Sequence, residues 1–250
     1  MKLKKIITVT SSKGGVGKTI FLLNIAGILS KQNKKVLVID CDLLGGGVAV
    51  DLNITPNKNI FNISDDILGN HYTDYKNYIE SYQPNLDIIA SCKDPRNALK
   101  IEFDTIISFI ENVKDNYDVI LIDTSHGLTK ENIMLIDKSD VVLYLMTNDI
   151  MDIKNTRAYF EILNSFKINN IKVVLNNARD INLNYFSNYE IKKAINNNID
   201  YTIDKSLFIK NITSFLLEGE IFTLNKSLTF KDKKDLYKLE RLCDDLVKDV

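Results

Sequence analysis

Ser11-Ser12-Lys13-Gly14-Gly15-Val16-Gly17-Lys18-Thr19 is a glycine-rich turn with a lysine at each end of its glycines. A short β-branched run, Ile6 to Thr10, precedes it, and a segment with apolar residues at 21, 22, 25, 28 and 29 follows it as far as Lys31. Strand, glycine turn and helix in that order form the context a phosphate-binding loop requires. Glycine lets consecutive backbone N–H groups turn inward and touch phosphate oxygens with no β-carbon in the way. The helix that follows adds the partial positive charge of its N-terminus. In such a loop Gly14, Gly15, Val16 and Gly17 provide the backbone cradle. Lys18 places an ammonium on the β- and γ-phosphates, and Thr19 offers a hydroxyl to Mg²⁺. The strict phosphate-loop pattern has Gly where this chain has Ser12. Lys13 is the informative addition. Two ammoniums about 4 Å apart repel by ~4 kcal/mol at an effective dielectric constant of about 20. Either bound phosphate offsets that repulsion, or Lys13 points away from its own site.

Outward from the loop, short apolar runs alternate with longer amphipathic stretches. The strand candidates are Ile6 to Thr10, Val36 to Ile39, Leu86 to Ala90, Val119 to Ile122, Val141 to Leu145 and Val173 to Leu175. Most are apolar throughout, as expected of strands covered on both faces. Helical spacing recurs over Ile20 to Lys31, Phe103 to Val113 and Ile153 to Phe166. The alternation predicts an α/β fold, a mostly parallel twisted sheet with helices on both faces. The prolines Pro56, Pro84 and Pro95 lie in separate connections, and no Gly/Ser tract divides the chain, so one domain over residues 1–250 is expected. A last segment, Asp232 to Val250, sets Leu236, Leu239, Leu242, Leu246 and Val250 on one face. It reads as a helix closing on the sheet. The alternative, a membrane-surface helix, is disfavoured by a polar face with as many acids as lysines.

Composition narrows the function classes. The 250 residues carry 32 basic and 33 acidic side chains, a formal net charge of -1, which argues against a protein that chiefly coats nucleic acid. Cys41, Cys92 and Cys243 are far apart in sequence, with no C-x-x-C pair, which fits a reducing cytoplasm and offers no metal framework. His71 and His126 are the only histidines, too few for a ligand cluster; His126, just after Asp123, reads as an ordinary loop histidine, with sensing of the nucleotide state as the alternative. Lysine groups at Lys2/Lys4/Lys5, Lys34/Lys35, Lys192/Lys193 and Lys231/Lys233/Lys234 read as solvated faces, and arginine is scarce. No apolar run approaches the ~18 residues of a membrane span.

The K-G-G-x-G-K-T form of the loop resembles the deviant Walker A motif of the ParA/MinD family of P-loop ATPases. The resemblance implies that Lys13 reaches across an ATP-dependent homodimer to the partner's phosphates. Further matches follow in order. Val38-Ile39-Asp40-Cys41-Asp42 is similar to the family's D-x-D segment, which implies that Asp42 positions the attacking water and that Asp40 lies nearer the lysine and metal. Val119-Ile120-Leu121-Ile122-Asp123-Thr124 resembles Walker B, with Asp123 directed to the Mg²⁺ shell, since a hard cation prefers oxygen. Val173-Val174-Leu175-Asn176 resembles the strand whose terminal Asn recognises the adenine edge. The chain departs from the family at Ile20, where a hydroxyl usually meets the α-phosphate; at Ser125, usually Pro; at Gly45-Gly46-Gly47, usually Gln-Gly; and at Asn177. The glycine triplet suggests a mobile switch loop. Nitrogenase iron-protein relatives share the loop but hold a cluster with cysteines, and none lies between Thr124 and Asp140.

A narrower resemblance runs through Tyr117 to Asn132 and Asp149 to Arg157, which look like the CpaE/TadZ branch, ATPases that place pilus-assembly machinery. Many of that branch begin with a receiver-like domain; Met1 to Lys5 leads directly into the first strand, so none is expected here. The resemblance implies a cytoplasmic ATP- and Mg²⁺-binding switch, slow and partner-stimulated. It implies a protein partner in a positioning or pilus-assembly system and recruitment to the cell pole or inner membrane surface. DNA partition, membrane-cycling positioning of division or flagella, and an ATP-locked scaffold with little turnover are the alternatives.

Overall fold

The computed structural model describes residues 4–177, 186–203, 218–226 and 230–248, with the side chains of 230–235 excepted. Lys2, Arg179, Val250 and the side chains of Lys231, Lys233 and Lys234 therefore lie outside the described residues.

Eight strands make one sheet: β1 (Lys5–Thr10), β2 (Val36–Cys41), β3 (Glu80–Gln83), β4 (Leu86–Ile89), β5 (Val119–Thr124), β6 (Val141–Thr147), β7 (Ile171–Asn176) and β8 (Tyr201–Ile203). Their order is β3-β4-β2-β5-β1-β6-β7-β8, parallel throughout except for the edge pair β3–β4. Each apolar run predicted from sequence is a strand here. β2 and β5 are buried along their whole length, which is why they lack alternation. Parallel pairing aligns the strand ends: Asp40 of β2 is in register with Asp123 of β5, and Asp123 with Val9 of β1. The two acids and the loop after β1 thus gather at the carboxyl end of the sheet, where open α/β sheets bind ligands.

The described helices are α1 (Lys18–Lys31), α2 (Val48–Asp51), α3 (Ile60–Leu68), α4 (Pro95–Ala98), α5 (Phe103–Val113), α6 (Lys130–Lys138), α7 (Ile150–Ser165), α8 (Asn188–Ile195) and α9 (Phe230–Val247). One face of the sheet packs against α1 and α9. The other carries α3 and α5 over β2 and β5, and α7 and α8 over β6 and β7.

The amphipathic pattern read over α1 understates its burial. Leu23, Asn24, Ala26, Gly27 and Ser30 are buried as well, because α1 lies between the sheet and α9. Asn24 is accommodated by Thr223, whose N–H donates to its Oδ1 at 3.2 Å and whose hydroxyl donates to its backbone O at 3.0 Å. Gly27 is required by that close approach: a β-carbon there would lie 2.3 Å from Thr223 Oγ1. The described part of α9 turns Leu236, Leu239, Leu242, Cys243 and Leu246 into the same core, the closing arrangement expected from sequence.

β3 and β8 were not expected. Glu80-Ser81-Tyr82-Gln83 is polar and half-exposed at the sheet edge, and Tyr201-Thr202-Ile203 is only three residues long, so neither leaves an apolar run to read.

Candidate functional site

Gly15 (φ 73°) and Gly17 (φ 94°) take left-handed backbone conformations, which lets the turn close on itself. Gly17 stands at the N-cap of α1 and gives no side-chain cap, and the first turn has no acid. The leading N–H groups of α1 are left for an anion. Lys18 is buried, and its Nζ donates to Ser11 Oγ at 3.2 Å. Burial lowers its pKa, opposed by Asp123, Asp42 and Asp152 nearby.

Ser12 explains its own departure from glycine. Its hydroxyl donates to Asp152 Oδ1 at 3.1 Å, and its N–H donates to Tyr144 Oη at 3.2 Å, anchoring the start of the loop to α7 and β6. Asp152 is fully buried and also accepts from Thr147 N at 2.7 Å and Thr147 Oγ1 at 2.8 Å. Lys13 and Lys18 have different partners. Lys13 Nζ is 3.0 Å from Oδ1 of Asp149, the N-cap of α7, which also accepts from Met151 N at 3.0 Å. Asp149 and Asp152 were missed as site residues. For Asp149 the usable signal was local, an Asp just before an apolar-periodic run, the signature of an N-cap; Asp152, inside α7, has none.

Thr19 Oγ1 donates to Asp123 Oδ2 at 2.6 Å. The other oxygen, Asp123 Oδ1, is buried with no hydrogen-bond partner among the described residues. Burial raises the carboxyl's pKa to about 6, against the lowering effects of the Thr19 hydrogen bond and of Lys18. An unsatisfied buried carboxylate oxygen beside a hydroxyl is the donor set of a hard divalent cation, so these residues fit Mg²⁺. Asp40 is also fully buried, and burial together with Asp123 pushes its pKa well up. Its oxygens accept from Asp42 N and Val48 N, both at 3.1 Å, and so shape the turn that carries Asp42.

Asp42 is half-buried and accepts from Gly45 N at 3.1 Å. The glycines after it are packed rather than spare. A β-carbon on Gly45 would come within 2.8 Å of Asp42 Oδ2, one on Gly46 within 2.7 Å of Ser91 Cβ, and one on Gly47 within 3.4 Å of Thr19 Oγ1. Leu44 (69% exposed) and Leu99 (85%) project beside a cleft that Asp42 and Ser125 also line.

Asn176 is fully buried under the loop, its amide donating to Val16 O at 2.8 Å, while its Oδ1 has no partner among the described residues. Ile20, half-buried at the start of α1, accepts at its backbone O from Asn24 Nδ2 at 2.8 Å. The loop after β5 is tied to the phosphate loop by Gly127 N–H, which donates to Ser11 O at 2.8 Å. Asn132 of α6 holds that loop from behind, another role with no local signature.

A family model described as an AAA domain matches residues 4–175. The septum site-determining protein MinD of Synechocystis sp. is 27% identical over 178 residues, 71% of this chain and 66% of that protein. The chain thus matches just under two thirds of the length of the curated relatives it resembles first. Among solved structures, a ParA family ATPase from Chlorobium tepidum superposes with a TM-score of 0.85 at 19% identity, covering 98% of this chain and 100% of that one. The septum site-determining protein MinD complexed with Mg-ADP from Pyrococcus horikoshii gives 0.79 at 22% identity, covering 97% and 96%.

Proposed function

This chain belongs to the ParA/MinD family of P-loop ATPases, and on that premise we propose that it binds Mg-ATP in the loop of residues 11–19 and uses it to switch between monomer and homodimer. The observation that carries the reading is the presence together of buried Lys18, a buried Asp123 whose Oδ1 has no partner among the described residues, and the uncapped N-terminus of α1. An ammonium, a cation-ready carboxylate and free N–H groups form a matched set for a magnesium polyphosphate. The Pyrococcus horikoshii structure holds Mg-ADP, which supports the same ligand class here.

In this proposal the backbone of Gly14, Gly15, Val16 and Gly17 cradles the phosphates, with Lys18 on the β/γ oxygens and Ile20 near the α-phosphate. Thr19 and Asp123 hold Mg²⁺, which when bound neutralises charge developing on the phosphates. Asp40 stands in the metal's surroundings and orders the turn that follows it. Asp42 orients water for a slow hydrolysis that a partner accelerates. Asn176 supports the loop at Val16 and serves the base. Lys13 leaves Asp149 to reach the partner's phosphates, and residues 1–250 act as one domain. The dimer accumulates because ATP binds it better than the monomer.

For the cellular use, we favour a CpaE/TadZ-like factor that positions pilus-assembly machinery from the cytoplasm, at the pole or the inner membrane surface. The resemblance of 117–132 and 149–157 supports it, and the exposed Leu44 and Leu99 beside Asp42 suit a protein partner. A membrane-cycling use finds no free apolar face on the described part of α9, whose leucines lie in the core, and no described helix is long and apolar enough to cross a membrane. DNA partition is the second reading, supported by likeness to a plasmid partition protein from Borrelia burgdorferi. Sedimentation with ATP, ADP or no nucleotide tests the switch in wild type, Lys13→Ala and Asp42→Ala. The expected result is an ATP-dependent dimer, lost in Lys13→Ala and prolonged in Asp42→Ala. An unchanged mass with ATP in both wild type and Asp42→Ala sinks it.

A further inference from the structure

His126 has no part in the set just described, yet it is held where the ligand would lie. It is exposed, at the tip of the loop after β5. Its neighbours on both sides are fixed. Buried Asn132 donates its amide to Ser125 O at 3.1 Å and to Gly127 O at 2.8 Å. Gly127, at φ 84°, donates its N–H to Ser11 O at 2.8 Å. Between these anchors the His126 ring is set against the bare side of Gly14: a β-carbon built there would meet Nδ1 at 3.4 Å, Cε1 at 3.6 Å and Cγ at 3.8 Å. Gly14 and Gly15 are exposed next to it. Whatever fills the cradle at these two residues lies beside the imidazole.

The position also selects one end of the ligand. Ser125, the residue just before His126, lines a cleft with Asp42, so the loop that carries the imidazole starts on the side where Asp42 would direct water. On the Mg-ATP reading, that is the side of the terminal phosphate. A neutral imidazole donates one N–H and an imidazolium two, and a donor facing a phosphate oxygen makes a charge-assisted bond. We infer that His126 is a specificity-determining residue of the nucleotide site, whose imidazole hydrogen-bonds the terminal phosphate and favours a nucleoside triphosphate over the diphosphate. The inference rests on the Mg-ATP reading proposed above and adds a third side-chain donor to Lys13 and Lys18.

The test is equilibrium binding of a non-hydrolysable ATP analogue and of ADP, each with Mg²⁺, to wild type, His126→Ala and His126→Gln. His126→Ala should weaken the triphosphate about tenfold, the loss of one charge-assisted bond, and leave ADP within about twofold. His126→Gln, whose amide still donates, should recover most of the difference. The exposed position should leave the thermal midpoint of both variants near wild type. Equal losses for both nucleotides, equal losses in both variants, or no loss at all overturn the assignment. A wild-type protein that binds neither nucleotide brings down the Mg-ATP reading itself, and the His126 inference with it.

Discussion

Lys13 Nζ lies 3.0 Å from Asp149 Oδ1, so the cation that sequence resemblance assigns to a second protomer is neutralised within its own chain. The same carboxylate caps α7. On the proposed reading, Lys13 would have to leave this contact at the start of α7 to reach a partner's phosphates.

Replacing Asp149 without removing the cap separates its two roles. In Asp149→Asn the amide still accepts from the helix N–H groups, so the thermal midpoint should move by no more than about 2 °C. Each protomer loses a part-exposed ion pair worth at most about 1 kcal/mol, about 2 kcal/mol for the two in a dimer, so the ATP-dependent dimer should tighten by up to about thirtyfold. Sedimentation at several protein concentrations measures the change. A dimer weakened by this substitution would mean that Asp149 serves the assembled state instead.

Asp123 predicts a pH dependence of opposite sign for fold and ligand. Its carboxyl rises from 3.8 to about 6 on burial, so the folded chain binds its proton better than the unfolded chain. Its contribution to the ligand-free fold is present below about pH 4 and is lost as pH rises through about 6. Magnesium needs the ionised form, so Mg²⁺-dependent ADP affinity should fall about tenfold per unit below pH 6. Urea unfolding of wild type and Asp123→Asn at pH 4.5 to 7.5 isolates the first effect, and calorimetry with ADP measures the second.

Gly45→Ala should damage turnover and spare the fold. Its new methyl would sit 2.8 Å from Asp42 Oδ2, the free end of a half-buried side chain that can swing aside. Stability should change by less than about 0.5 kcal/mol. Displacing the carboxylate by about 1 Å should lower kcat by up to about 100-fold while ATP affinity holds. Phosphate release and nucleotide binding, measured side by side, distinguish this from general disruption.

Gly27→Ala should do the reverse. The methyl would press on Thr223 Oγ1 at 2.3 Å and Ile221 Cγ2 at 2.9 Å, inside a packed core where Thr223 is already bonded to Asn24. Overpacking of this kind costs about 1–3 kcal/mol. Denaturant unfolding should show that loss, with nucleotide affinity per folded molecule unchanged.

Local chemistry carried the loop, the central strands and the acids at their ends. Thr19 and Asp123 meet because β1 and β5 are adjacent, and their apolar runs were legible one by one. What stayed hidden depends on partners distant in sequence. Ser12 looks like a flaw in a glycine pattern until Asp152, 140 positions away, takes its hydroxyl. The three glycines after Leu44 could be read only as a switch-like loop, whereas the packing that needs a glycine at 46, with Ser91 Cβ 2.7 Å from where a β-carbon would stand, comes from a residue 45 positions on. β3 is half-exposed and polar, so nothing in its periodicity could announce it.

Thr223 and the leucines of α9 also bear on how the protein can be handled. The stretch matched by the family model ends at residue 175, but the side of α1 facing away from the sheet is sealed by residues 221–223 and 236–246. A fragment trimmed to the matched stretch would keep Lys13, Lys18, Asp42 and Asp123 and present a naked greasy helix to water. Such a fragment should clump rather than work, so its inactivity would say nothing about the chemistry of the loop.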